Sequence, residues 1–149
     1  MDEKTKKRME MLKARAYEKS QENAWKKNGL FMDFLKNVSE AKILPHSQSA
    51  LLLEKLNAKC KISKYGCTNS DSISGATITY EQLKDYFDTS DYYYVIWDNA
   101  ELPIVKCRLQ SIIDNVDDVE AVAINYMIVS EDCSILIKAK KWGEVTVQT

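Results

Sequence analysis

The stretch AVAINYMIVSEDCSILIKAKKWGEVTV, residues 121–147, decides the fold class. AVAINYMIV is a long apolar run rich in β-branched residues, and SILIKAK resumes the pattern after the turn SEDC. GEVTV follows across KKWG, a connection short enough for a hairpin. The three segments read as an antiparallel meander. Further upstream, DYYYVIW (91–97) combines aromatic and β-branched residues and ends at the turn formers Asp98 and Asn99, which predicts another strand.

The N-terminal part has a different period. Residues 3–28 are rich in Lys, Glu, Ala and Met and predict a long helix with a thin apolar stripe: Met9, Leu12 and Ala16, then Ala24 and Trp25. Gly29 suits the position just past its end. LFMDFLKNV (30–38) and SALLLEKLNAK (49–59) supply two more helices. The Ser, Thr, Gly and Asn of residues 63–77 predict a loop. Thr79 and Gln82 form a capping-box pattern that opens a short helix through Phe87. Pro103 fits the first turn of a helix carrying Val105, Leu109, Ile112, Ile113 and Val116 on one face, although PIVKC could instead begin as a strand.

Helices first and a meander afterwards predict an α+β fold, with N-terminal helices followed by a mostly antiparallel β-sheet carrying one or two packed helices. At 149 residues the chain is expected to form a single domain, residues 1–149. Its helical part spans about 1–60, its loop about 63–77 and its α+β part about 78–149. No apolar run reaches the roughly 20 residues of a membrane span. The charged N-terminus MDEKTKKRMEMLKAR lacks the apolar core of a signal peptide, so a cytoplasmic protein without a membrane role is expected.

Several chemistries find no support. The four cysteines, Cys60, Cys67, Cys107 and Cys133, contain no CxxC pair, and reduced, buried thiols are expected. A metal or disulfide shared by Cys60 and Cys67 is the alternative. His46, the only histidine, stands beside Ser47 and is better read in a loop or helix-capping role than as the base of a triad. GxGxxG and GxxxxGK[ST] are absent. No cofactor, metal or catalytic residue is assigned.

Charge is the informative feature. The net charge is −1, yet residues 1–28 carry nine Lys/Arg against five Asp/Glu, a balance of +4. Residues 85–134 carry eleven Asp/Glu against Lys106 and Arg108, a balance of −9. Such asymmetry bears on partners and association rates. Within the acidic half, DNVDDVE (114–120) places four carboxylates in seven positions. It fails as an EF-hand loop, because the sixth position from Asp114 is Val119 where that loop needs glycine. A hydrated helix-to-strand connection is the plain reading of it; bait for a cationic partner is the functional one. Tyr92, Tyr93 and Tyr94 suggest base stacking, but an anionic surround does not favour a nucleic acid.

Residues 92–126, YYYVIWDNAELPIVKCRLQSIIDNVDDVEAVAINY, resemble bacterial immunity proteins of contact-dependent growth inhibition and related polymorphic toxin systems. The similarity runs on to Thr149 and takes in KNGLFMDF and LPHSQSALL. The resemblance implies an antitoxin that binds and neutralises the C-terminal domain of one cognate toxin, expected to be a nuclease, by covering its active cleft. It carries no site residue over, because such proteins share no binding motif. Under this reading Asp88, Asp91, Asp98, Glu101, Asp114, Asp117, Asp118 and Glu120 form the toxin-binding face. Tyr92 and Tyr94, or Trp97, anchor it if they lie on the outer face of their strand. Two alternatives stay open: a nucleic-acid-associated regulator using the basic N-terminal helix, and a small enzyme using His46, Ser47 or Asp/Glu pairs. Elemental analysis of the purified protein is expected to show no zinc; near-stoichiometric zinc that vanishes on replacing Cys60 and Cys67 would refute the thiol reading.

Overall fold

In a computed structural model of the chain, residues 2–60, 76–99, 101–123, 125–141 and 143–148 are described. The architecture is α+β, with N-terminal helices followed by a seven-stranded antiparallel sheet and its packed helices. Helix α1 (Glu3–Lys26) is capped by Asp2, whose carboxylate accepts from the Thr5 amide at 2.7 Å. No residue of α1 is buried. Its last turn reaches the core through Trp25, which meets the Phe31 ring edge-on at 5.6 Å.

Asn28 caps α2 (Gly29–Asn37), so Gly29 opens this helix rather than following the previous one. The remaining elements are β1 (Lys42–Ile43), α3 (His46–Cys60), β2 (Ala76–Thr79), α4 (Tyr80–Tyr86), β3 (Tyr92–Trp97), β4 (Val105–Arg108), α5 (Leu109–Asp114), α6 (Val116–Val122), β5 (Tyr126–Ser130), β6 (Leu136–Lys141) and β7 (Glu144–Gln148). The capping box at Thr79 and Gln82 is present and starts α4.

The strand order is β1-β4-β3-β5-β6-β7-β2, with antiparallel neighbours throughout. Side chains alternate across a strand, so register decides which residues share a face. One row crosses five strands: Val105, Val95, Ile128, Ile137 and Val147 are successive partners, each 1% exposed or less. Phe31 and Phe34 of α2, Leu83 of α4, Leu109 and Ile112 of α5 and Val119 of α6 complete this inner core. A smaller cluster forms on the opposite face, where Leu52 and Leu56 of α3 join Leu44, Ile104, Val129, Cys133 and Leu136.

Three further expectations need correction. Residues 105–108 form β4, so the helix predicted from Pro103 begins only at Leu109; the β-branched Val105 pairs with Val95 instead. AVAINYMIV is not a continuous strand, because Ala121 and Val122 end α6 and β5 starts at Tyr126. DNVDDVE is not an irregular connection: from Val116 it is helical, and Val119 and Val122, three residues apart, turn inward. The predicted loop falls outside the described residues from 63 to 75, and its last two positions, Ala76 and Thr77, belong to β2.

Trp97 holds the inner core together. Its ring is 4% exposed and receives Phe31 and Phe34 edge-on, at 5.5 and 5.2 Å. Its indole Nε1–H donates to the Val119 carbonyl at 3.0 Å. A second buried polar link joins the Tyr80 and Tyr126 hydroxyls, which hydrogen-bond each other. Burial is the main cause that raises both phenols above their ordinary range.

Trp97→Ala should destabilise the fold by about 3–5 kcal/mol. Trp97→Phe, which keeps a ring but removes the hydrogen bond to the Val119 carbonyl, should cost about 1–3 kcal/mol by denaturant titration. The tyrosines predict a pH dependence. The folded state favours their protonated forms, so the stability they contribute is complete below about pH 10 and is lost as pH rises beyond it. Urea midpoints of the wild type should fall on the alkaline side, and those of a Tyr80→Phe/Tyr126→Phe double variant should fall less steeply.

Candidate functional site

The structure scatters the acidic residues into separate groups. Strand β3 separates Asp91 from Asp98, a span of about 23 Å at the usual rise per residue. Asp98 and Glu101 are exposed in the turn after β3, where the Asn99 side chain accepts from the Glu101 amide at 2.9 Å. Asp114 ends α5 and accepts from Gln110 Nε2 at 2.8 Å. Asp117 and Asp118 occupy the first turn of α6, and Asp118 accepts from Asn37 Nδ2 of α2 at 3.0 Å.

Glu120 has a structural task. Its Oε1 accepts from the Gly143 amide at 3.1 Å and from the Tyr126 hydroxyl at 3.4 Å, which ties α6 to the turn between β6 and β7. Gly143 sits there at φ +78, a left-handed backbone that glycine adopts without penalty.

The aromatic candidates divide by the strand's period of two. Tyr93, Val95 and Trp97 face the inner core, whereas Tyr92, Tyr94 and Ile96 face outward. Trp97 is therefore not on the outer face. Tyr92 is 40% exposed, and its ring lies near Lys106 Nζ (5.2 Å) and the Arg108 guanidinium (5.6 Å). Tyr94 is half-buried beside the α3 cluster.

A concave feature gathers residues from both sides of the β3–β5 pairing. Where β3 begins and the β5–β6 turn closes, an open recess of about 440 Å³ is lined by Asp91, Tyr92, Tyr93, Ser130, Glu131 and Asp132, with Ser134 and Ile135 at its margin. The turn is tightly specified. Asp132 Oδ1 accepts from Ser130 Oγ at 2.8 Å and from Ser134 N and Oγ at 3.0 and 2.6 Å, while Cys133 takes φ 62. Glu131 pairs with Lys106 at 2.5 Å. Nearby, Asp88 accepts from Ser90 N and Oγ, which holds its carboxyl below the usual range. Glu131, Asp132 and Tyr93 are not among the residues assigned to a toxin-binding face from the sequence, where Tyr93 is weighed only for base stacking. Their proximity to Asp91 follows from the register that sets Tyr93 opposite Ser130.

The enzymatic candidates do not converge. His46 and Ser47 are exposed at the start of α3; the His46 ring stacks at a tilt on Tyr17 at 4.4 Å, and its amide donates to Glu18 at 3.2 Å. Cys107 and Cys133 are buried, and burial pushes the Cys107 thiol up to about 12, which keeps it protonated. The side chain of Cys60 and all of Cys67 lie outside the described residues. Among the described residues no three His, Cys, Asp or Glu side chains come together to hold a metal ion. Nor, among them, is any helix long and apolar enough to cross a membrane.

None of the curated proteins matches the chain. A protein-family model, CdiI immunity protein EcoliA0-like, matches residues 31–148, from the first buried phenylalanine of α2 through β7. That match covers the whole sheet and the buried residues of both cores, and leaves out residues 1–30, which hold α1 and the first two residues of α2, and Thr149. The chain belongs to this family of immunity proteins of contact-dependent growth inhibition.

Proposed function

We propose that the toxin neutralised by this immunity protein is a basic domain, best fitted by a nuclease, and that inhibition is by occlusion without catalysis. The carrying observation is electrostatic. Asp88, Asp91, Asp98, Glu101, Asp114, Asp117, Asp118 and Glu120 form no ion pair with any Lys or Arg among the described residues. Unneutralised carboxylates distributed over a surface project a negative potential that speeds encounter with a cationic cleft and selects against other partners. Domains that grip phosphates carry such clefts, and an immunity protein that covers one removes the toxin's access to nucleic acid.

The contribution of each acid depends on where it falls in the interface. An exposed pair at the rim contributes about 0.2–1 kcal/mol, whereas one desolvated at the centre matters by several. Asp117 is exposed, and among the described residues Asp114 and Asp118 are engaged by the side-chain amides of Gln110 and Asn37 alone. Their charges can therefore be reversed without opening the core.

Replacing Asp114, Asp117 and Asp118 together with Lys should slow association with the cognate toxin and weaken binding by more than roughly tenfold. Wild-type binding should weaken as salt rises. Loss of the Asn37 contact and of acids at the start of α6 should lower the melting temperature only slightly, at a cost of about 1 kcal/mol. Kinetic titration at two salt concentrations, with thermal melts as the folding control, reads all three. A folded triple variant that binds and protects like the wild type places the interface elsewhere.

A further inference from the structure

The recess at the start of β3 contains a polar group that the fold leaves unused. Tyr93 is 1% exposed, yet its hydroxyl has no hydrogen-bond partner among the described residues, although it lines an opening to solvent. The oxygen is not sealed from water, so its capacity to donate and accept is open to a ligand entering the recess. Around it stand the carboxylates of Asp91 and Asp132, with Asp88 close enough to act on the same phenol. Among the described residues the Asp91 carboxylate has neither a cation nor a hydrogen-bond donor, and Lys106, which lies near the Tyr92 ring, is taken by Glu131 at 2.5 Å.

The chemistry narrows the occupant. An anion would be repelled, and among the described residues no three carboxylates converge as metal ligands. An organic cation fits, and of the two basic side chains arginine fits better. Its planar fork offers five donors to carboxylate and phenol oxygens together and stacks on aromatic faces. The Tyr92 ring at the recess wall already lies close to two cations of this chain, Lys106 and Arg108, at 5.2 and 5.6 Å.

We propose that this recess seats one arginine side chain of the toxin, its guanidinium donating to the Asp91 carboxylate and to the Tyr93 phenol oxygen. The proposal rests on the reading that an acidic surface holds a basic toxin, and it fixes where that surface is most specific. Burial together with the neighbouring carboxylates pushes the Tyr93 phenol up to about 12, so it remains a neutral hydroxyl at physiological pH.

Affinity for the cognate toxin is to be measured for Asp91→Asn, Tyr93→Phe, the double variant and Asp98→Asn at the far end of the strand. Asp91→Asn should weaken binding roughly tenfold or more, and Tyr93→Phe about threefold. Their combined effect should be less than the product, because both act on one guanidinium. Asp98→Asn, which removes a dispersed surface charge outside the recess, should weaken binding by less than Asp91→Asn. Among toxin Arg→Ala variants, one should abolish the sensitivity to Asp91→Asn. If the double variant binds like the wild type while Asp114→Lys/Asp117→Lys/Asp118→Lys binds poorly, the recess is not the seat and the acidic-surface reading stands. If neither charge change nor salt alters binding, both fall. A second measurement avoids any folding defect of the variants: wild-type protein titrated with acetyl-arginine amide and, separately, with the neutral acetyl-citrulline amide. Saturable amide NMR shifts at Ser130–Ser134 with the arginine compound alone support the proposal, and equal or absent shifts overturn it.

Discussion

The indole of Trp97 must satisfy two demands at once, and much of the molecule is arranged around them. As the last residue of β3 it faces the inner core, so its ring has to be covered and its N–H has to find an acceptor. Phe31 and Phe34 supply the cover, which fixes α2 across the strand end; the Val119 carbonyl supplies the acceptor, which fixes α6 beside it. With α6 in place, Glu120 reaches both the Gly143 amide and the Tyr126 hydroxyl, and the phenol of Tyr126 meets Tyr80 of α4. A chain of contacts starting from one side chain thus positions three helices and a hairpin turn.

The same geometry sorts the charges. Strand β3 acts as a ruler, with Asp91 at one end and Asp98 at the other, and antiparallel pairing brings the β5–β6 turn to the Asp91 end. Acids from two distant parts of the sequence therefore share one recess, while acids two positions apart, such as Asp118 and Glu120, serve different neighbours: Asn37 in one case and the Gly143 turn in the other. The tight Asp132 turn, with its three hydrogen bonds to one carboxylate oxygen, makes the recess a preformed feature. A preformed surface loses less conformational freedom on binding.

Much of the fold could be read from the sequence wherever period and turn chemistry agreed. The aromatic strand at 92–97, the capping box at Thr79 and the hairpin closing at Gly143 each carry a local signal that packing reinforces. Where the two conflicted, packing prevailed. Val116, Val119 and Val122 have helical spacing, but the carboxylates between them suggest a loop; α6 forms because its apolar side is needed over Trp97. The short edge strands β1 and β2 carry too few residues to show a period, and tertiary pairing alone defines them. The inward direction of Trp97 was available from parity, since it lies four residues from Tyr93 on the same face. The recess was not available, because it depends on a register between strands more than thirty residues apart.

The strand order also governs when the molecule becomes whole. Strand β2 precedes most of the sheet in the chain but pairs only with β7, so that Ala76 meets Val147. Such long-range pairing gives the topology a high contact order, and closure of those distant loops makes folding slower than in a helical bundle of similar size. On the ribosome, β2 and the helix it leads into have no sheet to join until residues 144–148 have been synthesised. A chain that has not reached β7 therefore leaves the edge strand β2 without its partner, and the sheet closes at this edge last.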